Sequence, residues 1–482
     1  MLCSGYDPEK VESPLWKLIS QTYPNLAGNK CRINDCKEKG LLTCTGCFLS
    51  SYCSRDHQKQ DWSKHKGTCS PFKIVNKQGF GRYLVATRDI KPGEIIFTDY
   101  PMAVGPKQYT RPVCLGCHAP VSLDGHRCSS CSWPMCSQKC EYSSLHRAEC
   151  KIFSSAGVKP TSLRRRGEKR EEEEKIEEHP MYECITPLRV CLSMVYRPHN
   201  WEVVKKMETH RSARELEENS LHNQHNVVSF LLKYTKLQEQ IDNISGDDIL
   251  RSSDVLDVNA FEIRGVDGIS LRGLYPLTAM MNSSCSPNTQ NSIDNNFTCR
   301  VRAVQDIKKG EEICDTYTST LSNTIYRQKH LLKSKYFLCS CPRCSDPSEL
   351  GSDFSSIKCR RNPCDGFMLN SNPLNTTSPF RCGKCGFEKE RKEIESEQEF
   401  WEEKIENSLR DITTQEELLR DISILYHPNH NMCIDIMFNL IPLYGAKQSE
   451  LLEVEAERKE KICESILETM NKLIPGMFSK SK

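Results

Sequence analysis

Eight positions, Cys31, Cys36, Cys44, Cys47, Cys53, His57, His65 and Cys69, recur in nearly the same order and type further along the chain as Cys114, Cys117, Cys128, Cys131, Cys136, Cys140, His146 and Cys150. Short turns between paired cysteines deliver two ligands at once, and tetrahedral Zn2+ takes four thiolates or imidazoles. Each set therefore predicts two metal sites. The later ligands come four residues apart, as Cys53/His57, His65/Cys69, Cys136/Cys140 and His146/Cys150, so on a helix each pair shares one face. The expected arrangement is cross-braced, with Cys31, Cys36, Cys53 and His57 around one zinc and Cys44, Cys47, His65 and Cys69 around the other. The second set is expected to pair in the same order.

A disulfide framework is the alternative use of so many cysteines, and it belongs to short secreted chains with a leader. Here the first residues, MLCSGYDPEKVESPLWKLIS, are interrupted by charge, and no membrane-length apolar run occurs anywhere. The expectation is a reduced, intracellular protein with zinc.

Of the 28 cysteines, six in the first set and seven in the second make 13. A further group lies at Cys339, Cys341, Cys344, Cys359, Cys364, Cys382 and Cys385. Cys359, Cys364, Cys382 and Cys385 make one plausible four-thiolate site. That leaves Cys339, Cys341 and Cys344 one ligand short, so a fourth is expected from elsewhere in the fold. Cys184, Cys191, Cys433 and Cys463 sit in helix-like apolar patterns and read as core thiols.

Charge excludes little but narrows the partners. With 66 basic and 64 acidic residues the net charge is +2, which carries no global footprint for nucleic acid or membrane. The run RRRGEKREEEEK from Arg164 to Lys175 reads as a solvated linker or helix face.

After the first zinc module, FKIVNKQGFGRYLVATRDIKPGEIIFTDYPMAV shows β-branched alternation with Gly and Pro turns. The second module then interrupts this β-region. Residues 180 to 250 read as helices, strands resume near Phe261 and run through FTCRVRAVQDIKKGEEICDTYT, and the chain turns helical again from about 392. Trp401, Ile405, Leu409 and Ile412, like Ile462, Ile466, Met470 and Leu473, have the spacing of a helix-packing face.

Three segments carry chemistry: Gly79-Phe80-Gly81 beside a strand; Asn282-Ser283-Ser284-Cys285-Ser286-Pro287-Asn288, followed by Gly310-Glu311-Glu312-Ile313-Cys314-Asp315-Thr316-Tyr317; and Cys339-Ser340-Cys341-Pro342-Arg343-Cys344. Taken singly, the glycines read equally as a hairpin turn, Asn259 and Asn282 as turn caps, and Tyr317 and Phe337 as core aromatics. Their common order resembles a SET-domain protein methyltransferase split by a MYND zinc finger, that is, the SMYD family. The additional N-terminal zinc module and the Cys359 to Cys385 cluster are most similar to the insect SmydA branch.

The resemblance implies an α+β fold in which a SET β-domain is split by a MYND finger and carries an N-terminal MYND module, a helical insertion, a post-SET zinc site and a TPR-like helical C-terminal lobe, expected to be shortened. The implied boundaries are 31–69 and 114–150 for the zinc fingers, 71–113 and 259–320 for the SET parts, 180–258 for the helical insertion, 330–390 for the post-SET region and 392–482 for the C-terminal lobe. It implies S-adenosylmethionine contacts by Gly79, Gly81, Asn259, Asn282, Ser283, Tyr317 and Phe337, with Tyr317 lining the methyl-transfer channel. Cys285 becomes the fourth ligand of Cys339, Cys341 and Cys344, for about six zinc ions in all. The implied activity is protein-lysine methylation on histone or non-histone proteins in transcriptional regulation; the alternative is a zinc-finger adaptor or corepressor. Expected partners are a substrate lysine and proline-containing peptides, without membrane or direct nucleic-acid binding, for a monomer of cytoplasm and nucleus. One departure stands out: the family segment reads Asn-His-Ser-Cys, and here Ser283 replaces the histidine.

Overall fold

The computed structural model describes residues 31–477 apart from 39, 41, 45–49, 67, 68, 70, 78–80, 108, 109, 123, 159–180, 216, 410 and 445–452. The charged run from Arg164 to Lys175, together with Cys47 and Gly79, lies outside the described residues. The chain divides into two units. One comprises Met1–Arg88, Ile95–Met281 and Asn291–Val301, and the other Asp89–Glu94, Asn282–Gln290 and Arg302–Lys482.

In the first unit, β1 (Leu42–Thr43) and β2 (Ser51–Tyr52) form a short antiparallel ribbon. It leads into α1 (Arg55–His65), where the Ser54 hydroxyl caps the helix by accepting from His57 N at 3.2 Å. The alternating stretch folds as an antiparallel hairpin of β3 (Phe72–Lys77) and β4 (Gly81–Ala86), with Phe72 opposite Ala86 and Lys77 opposite Gly81. Phe72, Ile74 and Leu84 are buried, as period-two alternation requires.

Further on come β5 (Ile95–Asp99) and β6 (Ala103–Pro106), then α2 (Ser144–Ser155), which carries His146 and Cys150 of the second set, and α3 (Met181–Cys191). α4 (Gly246–Asn259) starts at a capping box in which Ser245 and Asp248 satisfy each other's main-chain N–H. β7 (Phe261–Arg264) and β8 (Ser270–Leu274) complete an antiparallel sheet in the order β6-β8-β7. The Thr186 hydroxyl on α3 donates to Pro106 O at 2.9 Å, fastening the helix to β6.

The second unit opens with β9 (Asn282–Ser283), which pairs in parallel with β10 (Glu312–Asp315). α5 (Thr324–Lys335) is capped by Asn323, which accepts from Tyr326 N at 2.9 Å, and stops at Tyr336 in the left-handed region with φ 62°. β11 (Ile357–Lys358), β12 (Phe367–Asn370), β13 (Phe380–Cys382) and β14 (Glu388–Lys389) form an antiparallel meander. Helices α6 (Arg391–Asn407), α7 (Ile412–Leu425), α8 (Asn431–Leu443) and α9 (Glu453–Leu473) follow. Ile394, Ile405, Ile422, Met432, Ile436 and Leu440 share a buried core with Tyr426.

One sequence expectation needs correction. Trp401, Ile405, Leu409 and Ile412 do not form one helical stripe: α6 ends at Asn407, Leu409 is exposed, and the Asp411 carboxylate caps a new helix by accepting from Thr414 N at 2.9 Å. A local cap overrides a coincidental spacing. The second stripe holds, with Ile466, Met470 and Leu473 buried on α9.

Candidate active site and zinc centres

The cysteine sets converge as cross-bracing requires. Cys31 Sγ lies 3.4 Å and Cys53 Sγ 3.1 Å from His57 Nδ1, and Cys36 Sγ lies 3.7 Å from Cys53 Sγ. In the companion site Cys44 Sγ is 3.6 Å from Cys69 Sγ and 3.3 Å from His65 Nε2. Cys114, Cys117, Cys136 and Cys140 meet in one group of the second module and Cys128, Cys131, His146 and Cys150 in another. A zinc ion with thiolates at about 2.3 Å sets tetrahedral sulfur–sulfur edges of about 3.8 Å. The sulfur pairs at 3.3 to 3.9 Å match that edge and are far beyond a covalent bridge of about 2.05 Å. The donor sets therefore fit zinc.

The side chains that hold the ligand His146 in place carry no signal in the sequence. His146 turns Nε2 towards Cys131 at 3.4 Å, while Nδ1 faces Glu149 Oε1 at 3.3 Å. Glu149 is in turn gripped by Arg189, whose Nε and Nη2 reach its two oxygens at 2.5 and 2.6 Å. Such a carboxylate fixes the tautomer and orientation of a ligating imidazole. Arg189 also donates to Val104 O and Leu115 O, so α3, β6 and the zinc module are fastened through one side chain.

In the second unit Cys285 meets Cys339, Cys341 and Cys344, all four ligand atoms within 4.8 Å of one another. Cys285 Sγ is 3.9 Å from Cys339 Sγ and 3.5 Å from Cys344 Sγ, and Cys285 N donates to Cys341 Sγ at 3.4 Å. The missing fourth thiolate is thus in place. Cys359 pairs with Cys385 at 3.6 Å and Cys364 with Cys382 at 3.8 Å, which completes the last four-thiolate group.

A buried ion cluster supports the Cys285 centre, and no sequence signal pointed to it. Arg327 Nη1 and Arg343 Nε both reach Glu349 Oε2, at 2.7 and 2.8 Å, with all three side chains almost wholly buried. Arg327 Nη2 lies 3.5 Å from Cys344 Sγ. Two cations against one carboxylate leave a net positive charge beside a dianionic zinc–tetrathiolate centre, which offsets part of the cost of burying it. Burial pushes the Glu349 carboxyl up, but the two guanidiniums overcome it and hold the group at about 2.

Four of the expected cofactor-contacting residues gather around this centre. Asn282 sits opposite Cys314 and Ser283 opposite Asp315, and Ser284 N donates to Asp315 O at 2.8 Å. Asn282 Nδ2 donates to Glu312 Oε1 at 2.5 Å, and the Ser283 hydroxyl accepts from Tyr317 N at 3.2 Å. Asn288 binds both sides of β10, donating to Glu312 O and accepting from Cys314 N at 2.7 and 2.8 Å. Tyr317 and Phe337 pack against the cluster of Cys285, Leu331, Cys339 and Cys344. Burial, then the charges of Asp315, Cys314 and Glu312, raises the Tyr317 phenol well above its ordinary pKa.

The remaining expected contacts lie in the first unit. Gly81 opens β4 with φ 74° and has no atom within 4 Å of where a Cβ would sit, leaving its main chain open to approach. Asn259 ends α4 and spends its amide hydrogens locally, on Glu208 O at 2.9 Å and Val255 O at 3.0 Å.

The chain is similar in sequence to known proteins. The SET domain model matches residues 81–318 and the MYND finger model residues 29–69. Over 413 residues the chain is 28% identical to the Drosophila melanogaster SET domain-containing protein SmydA-8, isoform A, covering 83% of this chain and 84% of the relative. It is 27% identical to the Arabidopsis thaliana histone-lysine N-methyltransferase ASHR1, over 67% of this chain and 65% of that protein. A stretch of 76 residues is 42% identical to the human protein-lysine N-trimethyltransferase SMYD5, covering 15% of this chain and 18% of that protein. The chain thus carries a SET domain and a MYND finger, and this pairing, with its similarity to the insect SmydA-8 proteins, supports a SET/MYND protein of SMYD type.

Proposed function

We propose that this protein is an S-adenosylmethionine-dependent protein-lysine N-methyltransferase acting on histone or non-histone proteins. The observation that carries the reading is the meeting of the Asn282–Ser283 strand with Tyr317 and Phe337 over the Cys285 thiolate group. Relatives named as lysine methyltransferases support it.

S-adenosylmethionine supplies a methyl group already activated on a positively charged sulfur, so the acceptor amine needs only to be neutral and in line. No strong nucleophilic side chain is required, and alignment does the catalysis, with on the order of 7–11 kcal/mol available from proximity in favourable cases. In this reading Tyr317, kept protonated by its burial, orients the acceptor amine through its hydroxyl. Asn282, whose amide is held by Glu312, and Ser283 bind the cofactor's amino-acid end. Phe337 stacks on the adenine, and Gly79, Gly81 and Asn259 are the further cofactor contacts that the family resemblance implies. The cysteine and histidine groups hold about six zinc ions, and the protein works as a monomer in cytoplasm and nucleus.

Calorimetric titration with S-adenosylmethionine, followed by transfer of a tritiated methyl group to protein lysines, tests the reading. Absence of binding at millimolar cofactor refutes it. Tyr317→Phe is expected to lose methyl transfer while keeping zinc.

A second role fits the zinc modules. Tyr142 and Leu145, 67% and 36% exposed, lie beside the ligands Cys140 and His146 and offer an apolar face to a proline-containing peptide. With the other module this face would bind bivalently, raising avidity through effective concentration. Pull-down by a proline-rich peptide that survives Tyr317→Phe separates this role from catalysis.

A further inference from the structure

The ring assigned to orient a substrate amine already has an amine over it. Lys335 Nζ lies 5.5 Å from the centroid of the Tyr317 ring, inside the reach of about 6 Å at which an ammonium is held by an aromatic face. The placement is built in by the chain. Lys335 is the last residue of α5, where a cation is favoured by the helix C-terminus. Tyr336 then turns left-handed and Phe337 packs on the same thiolate cluster as Tyr317. The residue is half-buried, with its ammonium at the tyrosine ring.

We propose that Lys335 is itself a methyl acceptor, a self-methylation site of this protein; the proposal rests on the transferase reading above. In the step, the neutral Lys335 Nζ forms a bond to the methyl carbon and the carbon–sulfur bond breaks with its electron pair passing to sulfur. S-adenosylmethionine becomes S-adenosylhomocysteine, and the proton lost by the ammonium goes to water. Being on the same chain, Lys335 reaches Tyr317 without a second binding event, so it outcompetes dilute acceptors by effective concentration. A methylated ammonium keeps its charge and is less hydrated, so the product stays over the aromatic ring.

The test uses the full-length, zinc-loaded protein with S-adenosylmethionine carrying a deuterated methyl group. Peptide mass spectrometry is expected to place the label on Lys335, with the label lost from that peptide in Lys335→Arg. The first-order rate constant is expected to stay constant over a tenfold range of protein concentration. A rate constant that rises in proportion to concentration means transfer between molecules and overturns the proposal. Label on other lysines with Lys335 unmodified also overturns it and leaves the transferase reading standing. Failure of both cofactor binding and labelling removes the transferase reading and this proposal together. A readout without cofactor checks the contact itself: the Lys335 ε-methylene NMR signal, identified by its disappearance in Lys335→Arg, is expected upfield of the other lysines from the tyrosine ring current. A signal at the position of exposed lysines overturns the placement.

Discussion

Arg343 Nη1 donates to the main-chain carbonyl of Cys285 at 3.1 Å, joining residues 58 positions apart. The same guanidinium donates to Thr320 O at 2.8 Å and pairs through Nε with Glu349. One buried side chain thus fixes the strand that carries Asn282 and Ser283 to the segment that supplies Cys339, Cys341 and Cys344. Methyl transfer that works by alignment depends on such a fixed frame.

Glu349→Gln leaves Arg327 and Arg343 buried without their anionic partner. Breaking a buried ion cluster from one side costs about 3–5 kcal/mol, so the urea midpoint of the second unit should fall clearly and zinc should be lost more readily from the Cys285 group. Because the folded pKa of Glu349 is held below its unfolded value, its contribution is present at neutral pH and disappears as pH falls towards about 2. A stability change under about 1 kcal/mol would show that the cluster is incidental.

Asp435 on α8 behaves in the opposite sense. Burial first, and then the nearby Glu402 charge, push its carboxyl up to about 7, against a smaller lowering by Asn431. Between about pH 4 and 7 the unfolded chain releases a proton that the folded chain retains. This group's contribution to stability therefore falls as pH rises through that window and levels off above it. Asp435→Asn should remove the slope and be more stable than the parent above pH 7, by on the order of 2–4 kcal/mol. Chemical unfolding of both proteins from pH 4 to 8 measures the difference, and parallel curves would reject the assignment.

Both groups show where a chain can be read directly and where it cannot. The zinc ligands were legible because each pair is local in sequence, although of the four-residue pairs only His146 and Cys150 both lie on a helix: Cys53 and Cys136 precede theirs and Cys69 follows one. The fourth ligand of Cys339, Cys341 and Cys344 was not: spacing left the shortfall, and only family resemblance pointed to Cys285. Arg327, Arg343 and Glu349 carry no periodic or spacing signal, since their meeting is set by tertiary packing. The stripe from Trp401 to Ile412 misled because apolar spacing survived a break that Asp411 imposes by capping.

Gly366 tests the last thiolate group separately. A Cβ built at this position would lie 2.9 Å from Cys382 Sγ and 2.7 Å from Lys384 Cβ, closer than real side chains approach. Its main-chain N–H also donates to Cys364 Sγ at 3.4 Å. Gly366→Ala is therefore expected to release about one zinc per chain while the Cys285 group keeps its metal. Metal analysis of the purified variant decides it; unchanged zinc content would mean that the turn has room to relax.

Ser283 stands where the family carries histidine, and its hydroxyl accepts the Tyr317 main-chain N–H at 3.2 Å. The replacement therefore has a use: it ties the main chain of Tyr317 to β9, two residues upstream of the zinc ligand Cys285. Ser283→Ala removes the acceptor and leaves a half-buried N–H to find water, a loss of about 1 kcal/mol. Because the bond holds Tyr317 in place, the loss should include kcat, as an about fivefold decrease, with zinc content unchanged. Ser283→His tests the same point from the other side, since imidazole placed on the short strand cannot accept the Tyr317 N–H with the same reach. Restored or raised kcat in Ser283→His, with no loss in Ser283→Ala, would show that the hydroxyl plays no part in positioning the tyrosine.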